Sequence, residues 1–253
     1  MELKLFSAWL NDLLCPQDFR DYCTDGLCVE ANDKVTRVVT GVSFRDRLID
    51  RAIEERADCI IVHHPNGFWK SEDRVLVGKF GERMRRLMQN GISLYGFHLP
   101  LDGHMEIGNN ALIAKTMGLN IVDGFMREGE RFVGWIGEFD QPLSKEGFAA
   151  KLGEVFLHGV QTSLMYGNDS IKKVAICSGS GASGMDEAIA LGADAFVTGE
   201  IKESVPIAVE EAGFNLVSCG HHRTEIFGVR ALAQKINDEL GIPAKFVDID
   251  NPI

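Results

Sequence analysis

Short apolar runs alternate along this chain with stretches of helical spacing, and no other feature narrows its possible folds as much. CIIV at 59–62, ISLYGF at 92–97, VAIC at 174–177 and AFVT at 195–198 each have the length and composition of a buried strand. Between the first runs, apolar residues recur every three or four positions, as at Phe44, Leu48 and Ala52 and at Phe80, Met84, Leu87 and Met88. A further helix is predicted over 108–117, with Gly118 as its stop. A second series starts with the strand-like FVGWIGEF at 132–139. It continues with a helix through Ala149, Leu152 and Phe156, another over 185–191, and a long one near Thr224. At the N-terminus, Leu3, Phe6, Leu10 and Leu13 mark one face of an amphipathic helix rather than a leader peptide. No window approaches a membrane span. Strands alternating with helices predict an α/β protein.

The two series echo one another. AIEERADCIIVHH (52–64) and AIALGADAFVTGE (188–200) share AI, then AD four residues on, then a short apolar run. GNNALIAK (108–115) and GVRALAQK (228–235) match in the same order. Two related α/β halves with pseudo-two-fold symmetry follow, over 1–124 and 125–253, with the C-terminal helix able to pack back on the first. The acidic, glycine-containing stretch 123–130 is the natural boundary. The strand ends of both halves are expected to face a shared cleft.

Six of the seven histidines fall in VHHP, FHLPLDGH and CGHHRTE, and each stretch follows an apolar run. Open α/β sheets place their sites at the carboxyl ends of strands. One such stretch is an ordinary polar strand end; three of the same composition point to a metal site. His221 and Glu225 share a face if the helix has begun there, whereas Pro100 and Gly103 put Asp102 in a loop. Imidazole with carboxylate suits zinc, iron, manganese or nickel better than calcium or magnesium. Side chains alternate along a strand, so His63 and His64 diverge unless the chain bends. A catalytic zinc takes about three protein ligands, and at least five good candidates stand here. Two ions bridged by a carboxylate, Glu225 or Asp102, therefore fit better than one.

The remaining composition excludes several classes. The formal charge is −11, from 26 basic and 37 acidic residues, and no basic run offers a face to polymeric nucleic acid. Six dispersed cysteines without a secretory leader read as reduced thiols of a cytoplasmic protein.

VHHP with a following FW, HLPLDGH-x-EIGNNA, SGSG, DAFVTGEIKE and GH-x-x-TE together resemble the Nif-three-like dinuclear metal-binding family. Its members bear the name GTP cyclohydrolase 1 type 2 homolog. The N-terminal DYCTDGLCVE also fits, although Asp25 and Cys28 stand where that family commonly has Asn or Ser and Gln. The resemblance implies metal ligands at His63, His64, Asp102, His221 and Glu225, two similar α/β halves and a toroidal homohexamer. It places His98 near the ions but outside the usual ligand set.

SGSGASG carries Gly179, Gly181 and Gly184 at the spacing of a dinucleotide fingerprint, with Glu200 about twenty residues on. Too little chain follows for a second mononucleotide unit. A tight strand–helix turn with exposed amides at Gly179, Ser180 and Gly181, able to hold a substrate phosphate, is the better reading. Glu200 aligns with His64 and is assigned to the cleft. Trp9, Trp69 and Trp135 are assigned to core or interface, and His104 and His222 to solvent or to the support of ligands. No serine sits in a nucleophile elbow.

The expected activity is hydrolysis of a nucleotide or small phosphorylated substrate, GTP among them, by water activated at two divalent ions. His98 would move protons and Glu225 would bridge. The competing expectation is a metal-binding, metal-delivery or regulatory protein without turnover.

Overall fold

The computed structural model of this chain describes residues 1–72 and 74–253. The predicted N-terminal stripe forms α1 (Leu3–Leu14), which buries Leu3, Phe6, Leu10 and Leu14, with Leu14 in the place foreseen for Leu13. After it come β1 (Gly26–Val29), β2 (Val38–Ser43), α2 (Asp46–Glu54), β3 (Cys59–His64), α3 (Gly78–Gln89), β4 (Ser93–Gly96) and the short α4 (Leu99–Gly103). The chain continues through α5 (Asn109–Met117), β5 (Asn120–Glu128), β6 (Arg131–Leu143), α6 (Lys145–Val155), β7 (Thr162–Met165) and β8 (Ile171–Cys177). It ends with α7 (Met185–Ala190), β9 (Ala195–Thr198), α8 (Ser204–Ala212), β10 (Asn215–Ser218), α9 (His221–Thr224), α10 (Ile226–Leu240) and β11 (Ala244–Phe246). The protein is thus a mixed α/β chain with two sheets.

These elements form two compact units. The first joins Met1–Leu101 to Gly228–Asp250. Its sheet has the order β1-β4-β3-β2-β11, parallel except for β1. A parallel sheet covered on both faces needs strands that are apolar throughout, and β2, β3 and β4 are buried along nearly their whole length. Helices α2 and α3 pack Leu48, Ile49, Ala52, Met84 and Leu87 into the same core as Ile60, Val62 and Leu94. The buried Thr40 hydroxyl donates to the Val229 carbonyl at 2.8 Å and ties α10 to this sheet.

The second unit joins Asp102–Phe227 to Asn251–Ile253. Its sheet has the order β5-β6-β8-β9-β10-β7, with β8, β9 and β10 parallel and the remaining pairs antiparallel. Ile113, Met117, Phe148 and Leu152 from α5 and α6 close one core over Val174, Ile176 and Val197. The stretch 123–130 completes β5 and turns at Gly129 into β6.

The sequence echo is real in local detail. In each unit an antiparallel edge strand, β1 or β7, precedes three successive parallel strands, β2–β4 or β8–β10, and pairs with the last of them. The register Val38–Cys59–Ser93 in the first unit corresponds to Val174–Ala195–Asn215 in the second. At the repeated AD, Arg56 and Gly192 both take positive φ, and the Ala57 and Ala193 amides both donate back to the alanine five residues earlier. Asp58 then accepts from the amides of Thr36 and Arg37, and Asp194 from those of Lys172 and Lys173.

Candidate metal centre

In the first unit, β3 carries two histidines at its end because pairing with β2 extends to Ser43–His64 before Pro65 ends the strand. The expected divergence of His63 and His64 does not occur. Their ring centroids are 4.6 Å apart, and His98, two residues beyond β4, brings a third ring to 5.0 Å from His63 and 5.7 Å from His64. One nitrogen from each of the three lies within 4.8 Å of the others. His63 is fully buried and its Nδ1 lies 3.1 Å from the Phe97 carbonyl oxygen. A carbonyl only accepts, so Nδ1 carries the proton and Nε2 is the nitrogen with ligand character. His64 Nδ1 is hydrogen-bonded to Ser43 Oγ at 3.1 Å.

His98 Nδ1 is 2.8 Å from the buried Asp21 carboxylate, and its amide donates to Asp25 at 3.0 Å. Burial opposes ionisation of Asp21, but the hydrogen bond and charge of His98, with the Leu99 and Tyr22 amides, outweigh it and hold the carboxyl at about 2. Asp25 goes the other way: burial, then the charge of Asp21, pushes it up to about 7. Trp69, assigned from sequence to core or interface, stands edge-on to His98 at 5.1 Å and 5.9 Å from His64. Neither Asp21 nor Trp69 was singled out for this site. The signal available was DYCTDG, two carboxylates four apart ahead of β1.

In the second unit, Asp102 is buried and lies on α4, not in the expected loop. Pro100 suits the first turn of a helix, where its missing N–H costs nothing. Asp102 Oδ1 accepts from Ser178 Oγ at 2.8 Å and Asn109 Nδ2 at 2.9 Å. Asn110 fixes the same corner by accepting from the Ser178 amide and donating to the Val133 carbonyl. Ser178, Asn109 and Asn110 had no assigned role in the sequence reading.

His221 opens α9 and Glu225 follows it, the carboxylate buried and 3.1 Å from His221 Nε2. His221 Nδ1 is 3.1 Å from Glu200 Oε1, which also accepts from Ser180 Oγ. Burial disfavours the charged ring, but Glu225 and then Glu200 outweigh it and raise His221 to about 9. The Ser180 hydroxyl in turn lowers Glu200, with His221 adding to the effect against burial. Gly179 sits at φ +58°, where a side chain would collide with the Glu225 carboxylate. Its amide donates to Thr224 Oγ1 at 3.0 Å, and its carbonyl accepts from the Gly199 and Glu200 amides. Gly181 is buried against Cys177 and Thr198. His222 is buried and its amide donates to the Ile253 carbonyl, whereas His104 Nδ1 accepts from the Glu106 and Ile107 amides.

Buried imidazoles and carboxylates of this kind are able to hold a metal ion. The donor set fits a transition metal: nitrogen from rings whose other nitrogen is fixed, and oxygen from carboxylates whose orientation is set by hydrogen bonds. None of the six cysteines is paired among the described residues, and no helix among them is long and apolar enough to cross a membrane.

Residues 1–252 match the Duf34/NIF3 (NGG1p interacting factor 3) family profile. The chain belongs to this family. A Vibrio cholerae protein named GTP cyclohydrolase 1 type 2 homolog is 40% identical over 250 residues, 97% of each chain. Among solved structures, protein ybgI, of unknown function, superposes with a TM-score of 0.92 at 34% identity over the whole of both chains. TTHA1606 from Thermus thermophilus gives a TM-score of 0.89 at the same identity and coverage.

Proposed function

We propose that this member of the Duf34/NIF3 family is a dinuclear metal-dependent hydrolase of a nucleotide or another small phosphorylated molecule. His63, His64, Asp102, His221 and Glu225 would hold two divalent ions (zinc, iron, manganese or nickel). The observation that supports the metal-binding part of this reading is the convergence of His63 and His64 beside His98, with His63 locked by the Phe97 carbonyl in the tautomer that presents Nε2. The second ion rests on the number of candidate ligands and on the family resemblance. Bound divalent ions supply a Lewis acid and lower the pKa of water into the neutral range.

The chain's own residues divide the remaining work. Ser178 and Asn109 hold the Asp102 carboxylate in one orientation. Gly179 leaves room for the buried Glu225, the candidate bridge. His98 moves a proton to or from the reacting water. Of the SGSG turn, Gly179 already spends its amide on Thr224, so a substrate phosphate would rest on Ser180 and the backbone next to it. GTP is the leading candidate because relatives carry the name GTP cyclohydrolase 1 type 2 homolog. A homohexameric cytoplasmic protein is part of the same proposal.

A screen of nucleotides and phosphoesters with each of the four metals tests it. Turnover that depends on metal and collapses in Glu225→Ala is the expected result. A blank screen, with Glu225→Ala altering metal release alone, would overturn the hydrolase reading in favour of metal holding or delivery.

A further inference from the structure

The buried carboxylate of Asp21 is densely hydrogen-bonded and holds the His98 ring that stands beside His63 and His64. Its Oδ1 accepts from the Tyr22 amide at 2.5 Å, the Cys23 amide at 3.3 Å and His98 Nδ1 at 2.8 Å, and its Oδ2 accepts from the Leu99 amide at 2.6 Å. Through Leu99 it caps the first turn of α4, the helix that carries Asp102. Lys70 Nζ reaches the Asp21 carbonyl at 2.7 Å and pins the backbone of the same residue. Asp25 takes the His98 amide, so both the ring and the backbone of His98 are held by the segment ahead of β1.

We infer that Asp21 is a positioning residue: it selects the Nδ1–H tautomer of His98 and turns Nε2 of that ring into the proton acceptor beside His63 and His64. A carboxylate that accepts three N–H groups besides His98 has no proton of its own to give, so the shared proton sits on Nδ1. The ring nitrogen of His98 in the imidazole group lies within 4.8 Å of nitrogens of both His63 and His64. The arrangement has the logic of a buried aspartate that orients a general-base histidine without itself being protonated. A cavity of about 440 Å³ is lined by Asp21 together with Asn11, Gln17, Phe19, Asp25 and Lys70. Asp21 thus borders this cavity and bonds the His98 ring.

The inference rests on the hydrolase reading for the use made of the proton, but not for the tautomer. The experiment is nitrogen-15 NMR of histidine-labelled full-length protein, metal-free and then with Zn²⁺ alone, at a pH above the ordinary imidazole range. His98 should show the Nδ1–H pattern in both samples. Asp21→Asn, whose amide can donate to Nδ1, should move His98 to the Nε2–H pattern, while Zn²⁺ uptake stays within about twofold of the parent. In an active preparation kcat should fall about 10²-fold or more, with KM changed little. An Nε2–H pattern in the parent protein would overturn the inference without recourse to any variant. So would an unchanged His98 pattern in a folded Asp21→Asn. Absence of turnover in the parent would instead count against the hydrolase reading and leave the tautomer result standing.

Discussion

The strand ends of the two units are built on one plan and finished differently. β3 and β9 lie between equivalent parallel neighbours in the same register, and each follows an Asp that binds two amides at the start of the preceding strand. At the tips, His63-His64 stands against Gly199-Glu200. The Phe97 and Cys219 amides make the same bond to β3 and β9, which sets His98 opposite Gly220. The first unit thus presents imidazoles, with Nδ1 of His63 and His98 held by oxygen acceptors; the second presents carboxylates and a histidine whose ring lies between two of them. The frame tolerates either chemistry because its register is set by backbone bonds and the Asp caps, not by the tip residues.

The largest effect that would break this comparison is at Gly179, whose register equivalent is Ser43. Gly179→Ser should push Glu225 aside and strain a φ of +58°. A stability loss of about 2–3 kcal/mol and at least about tenfold weaker metal binding are expected, by urea denaturation and calorimetry. Ser43→Ala loses one hydrogen bond to His64 and should cost about 1 kcal/mol. Equal effects at the two positions would mean that the tips are not distinguished by crowding.

Next come the caps. Asp58→Ala and Asp194→Ala each remove a charged acceptor of two backbone amides and should each cost about 2 kcal/mol in urea denaturation. A large loss in one and none in the other would break the equivalence of the frames.

The smallest effect is in pH dependence and concerns the first unit alone. Asp21 folds with its carboxyl at about 2, below the ordinary 3.8, so it adds stability above about pH 4 that disappears as pH falls towards 2. Asp25 folds at about 7, so its contribution has the opposite sign: present below about pH 4 and lost as pH rises through 7. Asp21→Asn should therefore narrow its stability gap to the parent in acid, whereas Asp25→Asn should gain on the parent near about pH 8. Thermal melts across that range check both; parallel curves would refute the assignment.

Much of this frame was legible in the sequence. The echo of 52–64 in 188–200 identified strands β3 and β9 and their helices, because helix stops and short apolar runs are local signals. Asp58 and Asp194 were visible as repeated letters, but their bonds run to residues some twenty positions away. The candidate ligands were legible as strand-end histidines and carboxylates. What holds them was not: Asp21 reaches Leu99 and His98 across more than seventy residues, and Ser178 reaches Asp102 across a similar span. For the same reason the sequence predicts a loop where α4 forms, since the cap of that helix lies near the other end of the unit. The approach of His63 and His64 is equally invisible to a reading based on ideal strand alternation.

Metal analysis of the gently purified protein tests the central claim most directly, that the proposed ligands His63, His64, Asp102, His221 and Glu225 hold a pair of divalent ions. The account predicts about two equivalents of divalent metal per chain. His63→Ala in the first unit and Glu225→Gln in the second should each lower that content in folded protein. One firm equivalent, or a metal content untouched by either substitution, would contradict it.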